Sequence, residues 1–282
     1  MEAVFRDKKM QKVFKRKGFV TLPGLLNAED VQNLYAVFKK YSSEYDAPFH
    51  TTHFSTNVNY KQEAHAAISE VVFSRVEKWM NNYKPLFGNF MVKLPNPKVS
   101  LDIHTDWTYV DESRYSSVAI WVPLVDVTIE NGCFGVVEGS HKVTNTIRGP
   151  LIRESSRNFN ALWANKYGEL LTMKAGDAIL YHHGLLHFSP PNTTEVVRPA
   201  INLTIVPVSA PCLHYCMPDG TTQIQQYSVE DTSFYMHYNH FQTPQTNTLV
   251  RQLPVSNVQY IDAKMKHYQY RKWLNRFLGL FD

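Results

Sequence analysis

The sequence S-L-D-I-H-T-D-W-T-Y-V-D, residues 100–111, is typical of a β-strand that runs into a turn. It carries His104 and Asp106 two positions apart, and residues i and i+2 of a strand point to the same face. An imidazole and a carboxylate placed in this way can bind one metal ion together. Because two ligands do not hold a metal specifically, we expect a third ligand from a distant segment.

That third ligand is expected in residues 181–200, Y-H-H-G-L-L-H-F-S-P-P-N-T-T-E-V-V-R-P-A. The segment offers His182, His183 and His187, and the pleat of a regular strand places the first two on opposite faces. Two histidines and one carboxylate on one side of a metal leave open positions, an arrangement that suits non-haem Fe(II) oxygenases. The alternative for the pair in the first stretch is a structural His–Asp hydrogen bond.

Arg198 begins the next predicted strand, which in an antiparallel hairpin would return beside the histidines. A guanidinium near the metal can bind a carboxylate through two hydrogen bonds, and the hydroxyl of Ser189 can add a third. The sequence therefore predicts a site for a small diacid at this point. The alternative is a surface salt bridge between Arg198 and Glu195.

Short strands separated by turns dominate the chain from about residue 87. Asn131-Gly132 lies between two of these strands and predicts a hairpin with a type I′ turn. Many short strands with helices gathered ahead of them favour a mainly β protein with flanking helices, an antiparallel jelly roll, over alternating βαβ units. The predicted strands fall within residues 90–94, 99–104, 117–125, 133–137, 177–183 and 200–208.

The chain is expected to form a single domain over residues 1–282 with three parts. Residues 1–86 are predicted to be mainly helical, and residues 87–210 form the jelly-roll core with an insertion at 141–171. Residues 211–282 are predicted to be an aromatic-rich covering segment of irregular structure that ends in a helix. Met265, Tyr268 and Trp273 fall near one face of that helix, which we expect to dock onto its own domain or, in a homodimer, onto a second subunit.

Composition excludes several classes of protein. The 282 residues are 44% hydrophobic and 19% charged with a net charge of +4, which is an ordinary globular balance. No basic run alternates with aromatic residues, so we expect no nucleic-acid partner. Three sparse cysteines argue against a disulfide framework and favour a reducing, cytoplasmic location. No apolar run is long enough to span a bilayer, so no stable membrane insertion is expected.

Three segments together resemble the phytanoyl-CoA dioxygenase (PhyH) family: H-T-D at 104–106, E-N-G-C-F-G-V-V-E-G-S-H-K at 130–142 and G-L-L-H-F-S-P-P-N-x(5)-R-P-A at 184–200. The resemblance covers roughly residues 17–208. It implies a double-stranded β-helix, a cupin-like jelly roll, that uses Fe(II), 2-oxoglutarate and O2. By this resemblance His104, Asp106 and His187 bind the iron, and Arg198 with Ser189 binds the distal carboxylate of 2-oxoglutarate. Lys93, on the predicted strand before H-T-D, is a candidate for a further co-substrate contact.

The activity that the resemblance implies is hydroxylation of a small organic substrate at an unactivated C–H bond, with release of succinate and CO2. Halogenases of the family carry a small residue in place of the carboxylate ligand, so the presence of Asp106 favours hydroxylation or a related oxidation. Two alternatives stay open at this point. One is a cupin-like metal enzyme that does not use 2-oxoglutarate, and the other is a non-catalytic binding module on an oxygenase scaffold.

The substrate itself is not specified by the sequence. Trp107 and Tyr109 follow the first two ligands and are candidates for the wall of a substrate pocket, although both would also serve as core aromatics. Arg148 lies in the insertion, with Arg153 and Arg157, and is a candidate contact for an anionic substrate. The alternative is that these arginines are solvated loop charges.

Overall fold

The computed structural model describes residues 2–45, 47–144, 147–152, 161–238, 242–245 and 247–254. In this part of the chain two antiparallel sheets form a jelly roll, which confirms the predicted fold class. The six-stranded sheet contains β1 (Phe19–Leu22), β2 (Phe49–Thr51), β3 (Tyr83–Lys93), β5 (Val118–Pro123), β8 (Ala178–His182) and β10 (Arg198–Pro207) in the order β1-β8-β5-β10-β3-β2. The four-stranded sheet contains β4 (Leu101–His104), β6 (Phe134–Val136), β7 (Glu169–Leu171) and β9 (His187–Ser189) in the order β4-β9-β6-β7.

Helices cover the outer face of the six-stranded sheet. The first long helix after β1 begins at a capping box, in which Asn27 and Asp30 each accept a hydrogen bond from the other's main-chain N–H. The helices are α1 (Lys8–Lys17), α2 (Ala28–Lys40), α3 (Val58–Ile68), which continues through a π-helical turn into α4 (Ser74–Val76), then α5 (Ala161–Tyr167) and α6 (Phe234–His237).

The six-stranded sheet is buried on both faces, which explains why its strands read as continuous apolar runs. On β5, Val118 and Ile120 pack with the helices, whereas Ala119 and Trp121 pack toward the four-stranded sheet. The space between the two sheets is therefore lined by alternate residues of each strand. This is where the candidate site lies.

Two strands lie in the segment that the sequence predicted to be mainly helical. β1 pairs with β8 and β2 pairs with β3, so the jelly roll takes its two edge strands from residues before 87. β1 was recognisable from its apolar residues. β2 is only three residues long and has the sequence F-H-T, which carries no period-two signal.

The interpretation of residues 211–254 as irregular structure was wrong. This segment contains a three-stranded antiparallel sheet of β11 (Cys212–Cys216), β12 (Gln223–Val229) and β13 (Leu249–Pro254). Burial alternates along β12 except at the register irregularity between Gln226 and Tyr227, where both residues are buried. Three of its seven residues are glutamine, so the strand carries fewer of the branched and aromatic residues that usually reveal one. The predicted C-terminal helix, and with it the homodimer contact, lies outside the described residues.

The three cysteines are free and buried, in agreement with the absence of a disulfide framework. None of the helices within the described ranges is long and apolar enough to cross a membrane.

His214 on β11 gives a testable pH dependence of stability. The side chain is 2% exposed, and burial lowers its pKa to about 3. An unfolded histidine has a pKa of about 6.5, so between these values the unfolded chain binds a proton that the folded chain does not. The free energy of unfolding should therefore fall as the pH drops below about 6.5, by up to about 1.4 kcal/mol per pH unit from this residue.

Urea unfolding at a series of pH values should show a shallower fall of this free energy for His214→Phe. His237→Phe, on the exposed side of α6, serves as the control. Equal slopes for His214→Phe and the parent would contradict this account.

Candidate metal centre

The structure brings His104, Asp106 and His187 together between the two sheets. β4 pairs with β9 so that His104 lies opposite His187, and an irregularity in the register separates this pair from the pair of Leu101 and Ser189. β4 ends at His104, and Asp106 lies in the turn that follows, beyond the strand whose alternation the sequence argument used to pair these two residues. The main-chain N–H of Asp106 donates to the carbonyl of His183 over 2.9 Å, which fixes the turn against the segment after β8.

One ligand atom from each of the three residues lies within 4.8 Å of the other two. The Nδ1 atoms of His104 and His187 face the carbonyls of Asp102 and Leu185, at 2.6 and 2.9 Å. These contacts turn both Nε2 atoms toward the carboxylate, and Nε2 of His187 lies 3.6 Å from Oδ1 of Asp106. Such hydrogen bonds on the far side of the ring are the usual way to orient a metal-binding histidine.

The electrostatics of the cluster favour the forms that bind a metal. Burial, together with the nearby charge of His187, lowers the pKa of His104 to about 4, so its imidazole stays neutral well below the pH at which a solvated histidine takes up a proton. Burial opposes the ionisation of Asp106, but the neighbouring histidines and the hydroxyl of Tyr181 hold the pKa of this carboxyl below its ordinary value. The neutral imidazole of His104 and the ionised carboxylate of Asp106, with the imidazole of His187, form a donor set that fits non-haem Fe(II).

A buried guanidinium lies in a small cavity beside the cluster. Arg198 is 3% exposed, and this cavity is also lined by His187, Ser189 and Tyr181. Among the described residues, Nε and Nη1 of Arg198 find no hydrogen-bond partner, and burial lowers its pKa to about 10. Unpartnered buried donors are costly, so their presence next to a metal-binding cluster points to an anionic ligand at this position.

The model of the phytanoyl-CoA dioxygenase (PhyH) family matches residues 14–200 of the chain. The chain belongs to the phytanoyl-CoA dioxygenase family. Among curated relatives it is 32% identical over 133 residues to the phytanoyl-CoA dioxygenase domain-containing protein 1 homolog of Dictyostelium discoideum, which covers 44% of this chain and 47% of that protein. It is 27% identical over 144 residues to phytanoyl-CoA dioxygenase of Arabidopsis thaliana, covering 48% and 49%. The chain spans about half the length of the curated relatives it matches.

Solved structures agree with the jelly-roll fold. The epimerase SnoN, in complex with Fe3+, alpha ketoglutarate and nogalamycin RO, aligns with a TM-score of 0.56 and 17% identity over 88% of this chain and 96% of that chain. HygX from Streptomyces hygroscopicus, with nickel and 2-oxoglutarate bound, aligns with a TM-score of 0.52 and 16% identity over 72% and 88%. The carbocyclase SnoK from nogalamycin biosynthesis aligns with a TM-score of 0.54 and 18% identity over 76% of this chain and 88% of that chain. The family and its fold are thus fixed independently of the geometry of the site.

Of the other two residues that the family resemblance assigned to the co-substrate, Ser189 lines the small cavity and Lys93 lies behind it. Ser189 Oγ donates to the carbonyl of Gly132 over 2.9 Å. Lys93 lies directly across from Arg198 in the sheet, and its ammonium donates to the carbonyls of Ser189, at 3.0 Å, and Pro190. Burial, with the charge of Arg198, lowers the pKa of Lys93 to about 7. Direct contact of either residue with a co-substrate stays a prediction.

Gly132 occupies a position where a side chain would disturb this cavity. Its φ is +85°, and a Cβ would lie 2.7 Å from the carbonyl oxygen of Pro190, 3.1 Å from Cδ of Lys93 and 3.3 Å from Oγ of Ser189. The predicted type I′ hairpin was wrong: of the two turn residues only Gly132 has a positive φ, and the turn joins strands of different sheets. Gly132 is needed because Pro190 and Lys93, at the ends of β9 and β3, come too close to leave room for a side chain; it does not form part of a hairpin.

Gly132→Ala should therefore destabilise the protein and weaken 2-oxoglutarate binding. Gly24→Ala is a matched control, because Gly24 also has a positive φ, +61°, with nothing within 4 Å of its Cβ position. Both variants carry the left-handed backbone cost of about 1–2 kcal/mol, and only Gly132→Ala adds the steric conflict. Urea unfolding and the KM for 2-oxoglutarate measure the difference. Equal effects of the two substitutions would show that the close approach has no role.

A second, larger cavity of about 220 Å³ opens onto His104 and Asp106, and it contains Trp107 and Tyr109 in its wall. In the aromatic part of this wall, the ring of His53 lies parallel to that of Phe87 with centroids 4.6 Å apart, and its centroid lies 5.4 Å from that of Trp107, to which it is tilted by 54°. Another part of the wall is polar and uncharged. It consists of Thr51, Asn89, Asn202 and Thr204.

Arg148, which the sequence proposed as a substrate contact, is 1% exposed and forms an ion pair with Glu112. Its guanidinium lies behind the turn that carries Asp106, to whose carbonyl Nε donates over 2.7 Å. The alternative of a solvated loop charge is thus wrong for Arg148, while contact with a substrate stays a prediction. Arg153 and Arg157 lie outside the described residues.

Two residues of the site were missed by the sequence analysis. Tyr181 donates its hydroxyl to Oδ2 of Asp106 over 2.8 Å. Strand parity could have revealed it, because Tyr181 and Ile179 lie on the face of β8 that points between the sheets. Glu112, the partner of Arg148, gave no signal, because its position in an irregular segment has no periodicity to read.

Proposed function

We propose that the protein is an Fe(II)- and 2-oxoglutarate-dependent oxygenase that hydroxylates a small organic substrate at an unactivated C–H bond and releases succinate and CO2. The observation that carries the proposal is the buried guanidinium of Arg198 beside a His-Asp-His cluster, because its Nε and Nη1 have no hydrogen-bond partner among the described residues. A cupin-like enzyme that does not use 2-oxoglutarate would have no use for a buried cation there. A binding module would have no use for a complete ligand set.

His104, Asp106 and His187 would hold the iron, and the bound iron with 2-oxoglutarate supplies the activation of O2 and the oxidation of the substrate. Arg198 would bind and orient the distal carboxylate through its planar fork. Tyr181 holds Asp106 through a hydrogen bond to Oδ2, which leaves Oδ1 on the side of the histidines. The aromatic wall around Trp107 excludes water from one side of the larger cavity.

The walls of this cavity favour a substrate whose reacting part is uncharged. Asp106 is the one carboxylate in the lining, and no lysine or arginine lines the cavity among the residues that the structure describes. Fe(II) at His104 and Asp106 would already be balanced by the carboxylates of Asp106 and of 2-oxoglutarate, so an anionic group placed here would lose its hydration without gaining a counter-ion, which is strongly unfavourable. The stacked rings offer apolar contact, and the asparagine and threonine side chains offer hydrogen bonds.

Measurement of succinate tests the proposal. The purified protein is supplied with Fe(II), 2-oxoglutarate and O2, and succinate release is recorded with and without members of a panel of neutral, apolar and anionic compounds. We expect release that is stimulated by a compound which itself gains an oxygen atom, and His104→Ala should abolish it. Product analysis separates hydroxylation from epimerisation or ring closure. Oxidation of a compound without conversion of 2-oxoglutarate would favour the cupin-like alternative.

A further inference from the structure

The connection that follows β6 contacts both segments that carry the metal ligands. Ser140 Oγ accepts a hydrogen bond from the N–H of Leu186 over 2.7 Å, one residue before His187. Thr144 Oγ1 donates to the carbonyl of Gly184, and Arg148 Nε donates to the carbonyl of Asp106. We call Ser140, Thr144 and Arg148 the brace; their exposed fractions are 0%, 1% and 1%.

Arg148 is the member of the brace that reaches Asp106, and it is fixed on all sides. Glu112 accepts two hydrogen bonds from its guanidinium, over 2.6 and 2.8 Å. The main chain of Arg148 also pairs with Thr108. The N–H of Arg148 donates to Oγ1 of Thr108 over 3.1 Å, and the N–H of Thr108 donates to the carbonyl of Arg148 over 3.0 Å. The buried side chain of Arg148 therefore links the two ends of the segment 106–112, through the carbonyl of Asp106 and the carboxylate of Glu112.

These contacts restrain the peptide groups on both sides of Asp106. Its N–H donates to the carbonyl of His183, and its C=O accepts from Arg148. Tyr181 occupies Oδ2 of the carboxylate. With both peptide groups and one carboxylate oxygen held, the position of Oδ1 relative to Nε2 of His187 is determined by the protein before any metal arrives.

Stability alone does not explain a buried pair of this kind. The cost of removing two charges from water commonly matches or exceeds the attraction between them, so a buried ion pair is weak support for a fold. The burial of the Arg148–Glu112 pair is explained if the function of Arg148 is to hold the main chain of Asp106 in position.

We propose that Arg148 is a positioning residue that, with Glu112, sets the orientation of the Asp106 ligand and thereby the affinity and coordination geometry of the metal. The inference rests on the proposed function, since it assumes that these ligands hold a metal. It assigns the start of the 141–171 insertion a role at the metal, whereas the sequence suggested a role in substrate choice.

Cobalt(II) is a suitable probe, because its visible absorption reports coordination geometry and its binding does not require catalysis. The main variant is Glu112→Gln combined with Arg148→Met, which removes the fork and leaves no unpaired buried charge. The matched control is Arg75→Met, which removes an ion pair at the surface. Nε and Nη2 of Arg75 lie 3.1 and 2.9 Å from the carboxylate of Asp30, a residue of α2. We expect the double variant to bind Co(II) about 10- to 100-fold more weakly, with an altered absorption spectrum, and the control to match the parent in both.

A folded double variant with the parent's Co(II) affinity and spectrum would overturn the inference. If the double variant does not fold, Glu112→Gln alone is measured, which keeps the bond from Arg148 to Asp106 but loosens its anchor. A smaller shift in the same direction supports the inference, and a parental spectrum overturns it. Failure of the unaltered protein to bind Co(II) would instead contradict the proposed function.

Discussion

The His187→Ala variant is expected to lose metal binding and with it all conversion of 2-oxoglutarate. His187 would supply one of the three ligand atoms of the proposed iron site, and it is buried. Substitution of residues that only support a ligand weakens metal binding by about 10- to 100-fold, and loss of the ligand itself should exceed that. Iron content after anaerobic loading and succinate release measure the effect.

His214→Ala is the matched control for this variant, because it also removes a buried imidazole, 2% exposed, from a strand outside the jelly roll. It should lower stability and leave iron content at the parent's level. Retention of stoichiometric iron by folded His187→Ala would show that the third ligand has been misassigned.

The Arg198→Gln variant is expected to raise the KM for 2-oxoglutarate by about two to four orders of magnitude. Two charge-assisted hydrogen bonds contribute about 1.5–3 kcal/mol each, and every 1.4 kcal/mol is tenfold in affinity. Arg198→Lys keeps the charge but loses the planar fork, so its KM should fall between those of the parent and the glutamine variant. Initial rates at varied 2-oxoglutarate concentration give these values.

The same substitution should not destabilise the ligand-free protein. The buried donors of Arg198 have no partner among the described residues, and removal of an unsatisfied buried group relieves a penalty of about 1–3 kcal/mol. Arg198→Met should thus unfold at an equal or higher urea concentration than the parent when 2-oxoglutarate is absent, and the order should reverse when it is present. A large loss of stability without ligand would mean that the guanidinium has a structural partner.

The sequence was sufficient to predict the jelly roll, because its strands are marked by apolar runs and turns. His104 and Asp106 were singled out because they are two residues apart, whereas His187 was assigned as the third ligand by the family resemblance. The hairpin argument for Arg198 was wrong, because β10 pairs with β3 and β5 in the six-stranded sheet while β9 belongs to the four-stranded sheet. Arg198 nevertheless lines the small cavity beside His187, because the site lies between the two sheets.

Other features depend on contacts that no local pattern encodes. Glu112 and Arg148 meet from two irregular segments, so neither the ion pair nor its contact with Asp106 has a periodic signal. β12 has nearly the burial pattern of a strand, but three of its seven residues are glutamine, whose preference depends on what covers it. Gly132 looked like a hairpin glycine because positive φ is needed both in such turns and where a strand approaches closely.

Anaerobic titration of the protein, loaded with Fe(II), with 2-oxoglutarate tests most directly whether three ligands and a buried guanidinium form one site. A keto acid that chelates ferrous iron produces a visible metal-to-ligand charge-transfer absorption. We predict that this absorption develops to one equivalent in the parent, requires far more 2-oxoglutarate in Arg198→Gln, and is absent in His187→Ala. An iron-loaded parent whose spectrum does not change on addition of 2-oxoglutarate would contradict the account.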